Sequence, residues 1–89
     1  MNYAGQIGGF DCFETDTHFL RINISQIYQT EEKVTVQWTD KDSSISKREI
    51  IPFDIDEEGR LCLRHHDEKL VTAIQVCLSE HEGMEFYAN

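Results

Sequence analysis

Hydrophobic and polar residues alternate along much of the chain. In His18–Tyr28, HFLRINISQIY, Leu20, Ile22 and Ile24 fall on one side, and Arg21, Asn23 and Ser25 on the other. Successive side chains of a strand point to opposite faces, so period two predicts a half-buried strand. Ile27 and Tyr28 break this register and predict a bulge or a bend. Lys33–Thr39, KVTVQWT, is the cleanest strand: Val34, Val36 and Trp38 share one face, Thr35, Gln37 and Thr39 the other. β-Branched and aromatic side chains suit such a pleated surface. DKDSS at 40–44 reads as a turn, because its side chains bond their own backbone.

The stretch Glu49–Leu63, EIIPFDIDEEGRLCL, organises what surrounds it. Two apolar runs flank an acidic turn that ends in Gly59. Ile51, Phe53 and Ile55 alternate on the way in; Leu61 and Leu63 point inward on the way out. Pro52 has no N–H, which places its strand at a sheet edge or a bulge. Asp67–Leu78 carries two patterns. Leu70, Ile74 and Cys77 fit a helix face, with Asp67 as cap and Gly83 as stop. Leu70, Thr72, Ile74 and Val76 also alternate, and the β-branched content favours a strand. Residues 1–9 read as a loose or extended lead-in and 80–89 as an acidic tail, in which Phe86 and Tyr87 can form a last short strand. The expected fold is mainly β: a bent antiparallel sheet of about five strands, closing as an SH3- or Sm-like barrel, with room for one short helix.

Length and charge narrow the function. With 89 residues the chain is one domain. Its 39% apolar content fills one core and leaves little for a large apolar pocket. Net charge is −9, from 17 Asp and Glu against 8 Lys and Arg. That balance disfavours a broad nucleic-acid face and an anionic membrane surface, and favours a basic protein partner. Cys12, Cys62 and Cys77 are an odd set without a close pair, a poor disulfide framework. The start has no signal-peptide pattern, and no run is long enough to span a bilayer, so a cytoplasmic protein with reduced thiols is expected.

Four constellations carry candidate chemistry. Asp54, Asp56, Glu58 and Gly59 approach the opening of a calcium loop, but His65 stands where that loop needs a bidentate Glu; a solvated turn explains them better. Cys62 with His65 and Cys77 with His81 have spacings that could bite zinc, yet a strand points Cys62 and His65 apart. His65-His66-Asp67 beside Cys62 resembles a base and a nucleophile, without an oxyanion hole to serve. Lys47, Arg48, Arg60 and Arg64 can make a small positive spot near Trp38 if their strands pair, which would suit nucleic acid; pairing with nearby carboxylates is the plainer expectation. No metal or cofactor and no catalysis is expected.

The run from Val34 to Val76 resembles small Sm-like or SH3-like barrel modules. Gly9-Phe10-Asp11-Cys12-Phe13-Glu14, Val34-x-Val36-x-Trp38, Ile51-Pro52-Phe53-Asp54-Ile55, Arg60-Leu61-Cys62-Leu63 and Glu68-Lys69-Leu70-Val71-x-x-Ile74 are similar to the Rho-binding antiterminator (Rof) family. Glu68-Lys69-Leu70 stands where that family has Arg-Leu-Asp. A WYL-type ligand-sensing barrel shows a similar rhythm around Pro52 and Leu61–Leu63. The resemblance implies inhibition of transcription termination. The leading expectation is a non-enzymatic acidic module that docks a basic protein, or mimics nucleic acid, through Asp11, Glu14, Asp16, Asp54, Asp56, Glu57 and Glu58. The alternative is a nucleic-acid or nucleotide binder using Trp38, Lys47, Arg48, Arg60 and Arg64.

Overall fold

The alternation becomes an antiparallel meander in a computed structural model that describes residues 1–88. Its elements are β1 (Asn2–Ile7), β2 (Phe10–Glu14), β3 (His18–Ile22), the single helical turn α1 (Ser25–Tyr28), β4 (Lys33–Asp40), β5 (Ser46–Ile55), β6 (Leu61–Leu63) and α2 (Glu68–Glu82). The six strands lie side by side in chain order. The chain is mainly β, with a bent antiparallel sheet and one long helix.

Pro52 marks the bend. β5 pairs with β4 from Thr39↔Ser46 to Lys33↔Pro52, then pairs with β6 from Phe53↔Leu63 to Ile55↔Leu61. Proline has no N–H to contribute, so a strand can change partner there without abandoning a donor. The Pro52 carbonyl accepts the Arg64 N–H at 2.8 Å, and the Phe53 N–H turns to Glu32 O at 2.9 Å.

One face of the sheet is sealed by α2. Leu70, Ala73, Ile74, Cys77 and Leu78 recur at helical spacing and are buried against Leu20, Ile22, Val36 and Ile51. Burying one large aliphatic side chain stabilises by about 1.5–3 kcal/mol, enough for this face to decide the local structure. The strand reading of Asp67–Leu78 is thereby corrected. β-Branching is a weak local preference that packing overrides. Thr72 and Val76, on which it rested, face outward. The capping reading holds: Asp67 Oδ1 accepts the Leu70 N–H at 3.1 Å, and Gly83 adopts φ 69°, a left-handed conformation suited to glycine.

Three further expectations change. Residues 2–7 are an edge strand on β2, with a shift of register between Tyr3 and Gln6. The sheet therefore has six strands rather than about five. The 18–28 strand stops at Ile22; Ile24, at the cap of α1, and Ile27 within it reach the core, three residues apart as a helical turn requires. In the expected tail, helix α2 runs on to Glu82, Phe86 packs against the core and forms an isolated bridge to Leu61, and Asn89 lies outside the described residues. Among the described residues no helix is long and apolar enough to cross a membrane.

Candidate ligand-binding face

An antiparallel sheet covered on one side leaves the other to water. The register builds this open face in rows. Cys12 pairs with Arg21, Arg21 with Gln37, and Gln37 with Arg48; beside that row, Glu14 pairs with Phe19, Phe19 with Thr39, and Thr39 with Ser46. Together they floor a groove of 710 Å³ whose wall on one side is Ala4 and Ile7 of β1. Phe19 stands 49% exposed in it.

Two arginines of this face differ from most of the other long cations. Lys41 holds Glu14 at 2.6 Å, Arg60 holds Asp56 at 2.8 Å, Arg64 holds Asp54, and Lys69 reaches Asp42 at 3.2 Å and Asp40 at 3.3 Å. Arg21, Lys33, Lys47 and Arg48 form no ion pair among the described residues. Of these, Arg21 and Arg48 stand on the groove floor. Aromatic rings stand beside the cations: Arg48 Cζ lies 6.0 Å from the centre of Phe10, and Lys41 Nζ lies 4.8 Å from that of Phe19. Unpaired guanidinium groups offer planar forks of N–H donors to phosphate or carboxylate, and the exposed ring offers a stacking surface.

The predicted basic set is thus only partly assembled. Arg48 stands on the groove face; Lys47 is opposite Trp38 and so belongs to the other face, and Arg60 and Arg64 belong to the β5–β6 hairpin and are held there. Trp38 is 9% exposed and belongs to the core face; its indole N–H donates to Glu49 Oε2 at 3.0 Å. Phe19 and Arg21 take the place expected of it. Their signal was present in the sequence, since they alternate with Leu20 and Ile22 along β3.

The predicted acidic set is scattered. Asp11 is buried and accepts the Tyr3 hydroxyl at 2.8 Å, Glu14 is held by Lys41, and Asp16 is exposed. Asp54 is held by Arg64 in the hairpin, two strands beyond β3. Asp56 builds the hairpin itself. Its Oδ1 accepts the N–H groups of Glu58 at 3.0 Å and Arg60 at 2.8 Å, while Gly59 adopts φ 80°. Desolvation pushes the Asp56 carboxyl up, but those N–H groups and the Arg60 guanidinium outweigh it and hold it below the usual carboxylate range. Glu57 and Glu58 are exposed at the tip, Glu58 lying 3.7 Å from Arg60.

The spaced Cys and His residues do not converge. Cys77 is buried under α2, and burial pushes its thiol up to about 12, so the thiolate a metal needs is disfavoured. His81 stacks on Tyr3 at 4.2 Å, whereas His65 Nε2 sits 3.0 Å from Glu49 and its Nδ1 accepts the Asp67 N–H. Among the described residues no group of three or more His, Cys, Asp or Glu is placed to hold a metal ion.

No family model, curated protein or solved structure matches the chain.

Proposed function

We propose that the chain is a non-enzymatic binding module that holds an anionic ligand on the open face of its sheet. One observation carries this reading: in a chain of net charge −9, Arg21 and Arg48 stand on one groove floor without a carboxylate partner among the described residues. Nearby acids are abundant, and Lys41, Arg60, Arg64 and Lys69 use them. Charges left unpaired beside an exposed aromatic are free to pair with something else. Opposing repulsion from the rest of the chain is screened beyond about 8–10 Å at physiological salt, so the groove can act locally. The test is binding of a panel of soluble polyanions: oligothymidylate, a heparin oligosaccharide and polyglutamate. The protein should bind at least one, and Arg21→Glu with Arg48→Glu should abolish it while circular dichroism stays unchanged. Failure to bind any member overturns the reading.

The hairpin tip favours a second reading. Glu57 is exposed and touches no cation among the described residues, and Glu58 is exposed beside it. In this reading the chain docks a basic protein surface, one that otherwise holds nucleic acid, and the resemblance to the antiterminator family implies inhibition of termination. Asp56 is unsuitable as a probe, because its side chain closes the turn.

A further inference from the structure

The groove's chemistry names its occupant more narrowly. We infer that the open face binds single-stranded nucleic acid, with Phe19 as the base-stacking platform and Arg21 and Arg48 as phosphate clamps. This rests on the anion-binding reading above and adds the ligand class to it.

Two candidate anions compete, an acidic peptide and a nucleic-acid strand. Extended peptides that join a sheet gain most from main-chain hydrogen bonds at an unpaired edge. Here β2, β3 and β4 are each paired on both sides, so Phe19, Arg21 and Gln37 stand on strands without a free edge; only the outer sides of β1 and of residues 46–52 in β5 pair with no strand, each two strands away from β3. A base needs no such edge, because an aromatic ring binds it by its face. Phe19 projects from an inner strand, half exposed, with Arg21 two residues along the same face. That spacing is about 6.6 Å on a strand, which sets a stacking surface beside a charged fork. Arg48 lies across Gln37 from Arg21 and against Phe10, a second ring beside a cation. Gln37, Thr39 and Ser46 between them supply neutral hydrogen-bonding groups. A duplex would not fit as well: its stacked bases hide their faces, and its charge density asks for a broad basic surface this chain lacks.

The test uses fluorescence anisotropy of a labelled short oligothymidylate on the full chain, with the same label on polyglutamate and on a duplex. The oligothymidylate should bind, and better than the duplex. With Arg21 and Arg48 as the contacts, log K should fall against log salt with a slope of about −1.4. Phe19→Ala should weaken binding about tenfold, while Phe19→Trp retains it. Arg48→Gln should shallow the slope by about 0.7, a readout that does not need Phe19→Ala to fold. Oligothymidylate binding that is indifferent to both Phe19→Ala and Arg48→Gln overturns the inference. Binding of polyglutamate or heparin without oligothymidylate also overturns it, and leaves the anion-binding reading standing. Binding of none sinks both.

Discussion

The inner and outer faces of β3 share a backbone and little else. Toward α2 the strand presents His18, Leu20 and Ile22, all buried; toward water it presents Phe19 and Arg21. Polar groups around the inner face are largely tied down. Glu49 receives the Trp38 N–H and lies 3.0 Å from His65, and Lys69 of α2 bridges Asp40 and Asp42. On the outer face Arg21 and Arg48 have no such partners. Burial there reports on folding, whereas an unpaired charge beside an exposed ring has no folding task to explain it. The site shows itself less by how many charges it has than by which are left over.

The largest effect should come from substituting neighbours on β3. Leu20→Ala removes a fully buried side chain and should cost about 2–5 kcal/mol, a large part of the stability of a chain this size. Phe19→Ala, one residue away, should cost under about 1 kcal/mol. Urea midpoints at constant m-value measure both. Equal losses would break the division between the faces, because Phe19 would then be a core residue.

Next comes a pH effect confined to the inner face. His18 is fully buried, its Nε2 has no partner, and its Nδ1 lies 2.7 Å from the Thr17 hydroxyl. Burial lowers its basicity; Asp40 opposes this, Lys69 adds to it, and Asp67 and Asp42 oppose it more weakly. The folded state therefore resists the proton more than the unfolded state, whose imidazole titrates near pH 6.5. Well above that pH both states are neutral and His18 contributes no pH dependence. As pH falls through 6.5, the unfolded chain takes up a proton that the folded chain refuses, and stability is lost until the folded pKa is passed. The urea midpoint should drop between pH 7.5 and 5.5, and His18→Gln should flatten that drop. A midpoint that rises on acidification would show that the carboxylates around α2 outweigh burial.

Much of the inner face was legible beforehand because it obeys a local period. Val34, Val36, Ile51 and Phe53 were placed by alternation alone and are buried. The helix was not legible in the same way. Leu70, Ile74 and Cys77 fit its face, but Thr72 and Val76 fit a strand, and only the sheet beneath decides between them. β1 was hidden because glycines dilute its pattern and its fit is set by pairing with β2. The outer site is harder still. Lys47 and Arg48 could be picked out as basic residues, but whether a cation is free depends on cross-strand neighbours. Asp54 pairs in register with Cys62, which brings it close to Arg64; Arg60 turns back onto Asp56 and lies 5.8 Å from Tyr87. The Arg60 contact is local to the turn and agrees with the expected pairing to nearby carboxylates, whereas the Asp54–Arg64 contact is not visible before the register of β5 on β6 is known.

The smallest expected change in stability is also the most discriminating. Arg48 and Arg64 are both exposed arginines, on β5 and just beyond β6. Arg64 holds Asp54, but both partners are about half exposed, so ordering two flexible side chains offsets most of what the pair contributes. Arg64→Ala and Arg48→Ala should therefore both leave the urea midpoint within experimental error. They should part company only in ligand binding. Arg48→Ala should weaken oligothymidylate binding several-fold and flatten its salt dependence, because an unpartnered guanidinium gives up nothing to meet a phosphate. Arg64→Ala should leave both unchanged, because that guanidinium must first release Asp54. Equal losses of binding from the two variants would mean that the anion sees total charge rather than the groove, and the distinction between held and free cations would lose its meaning for function.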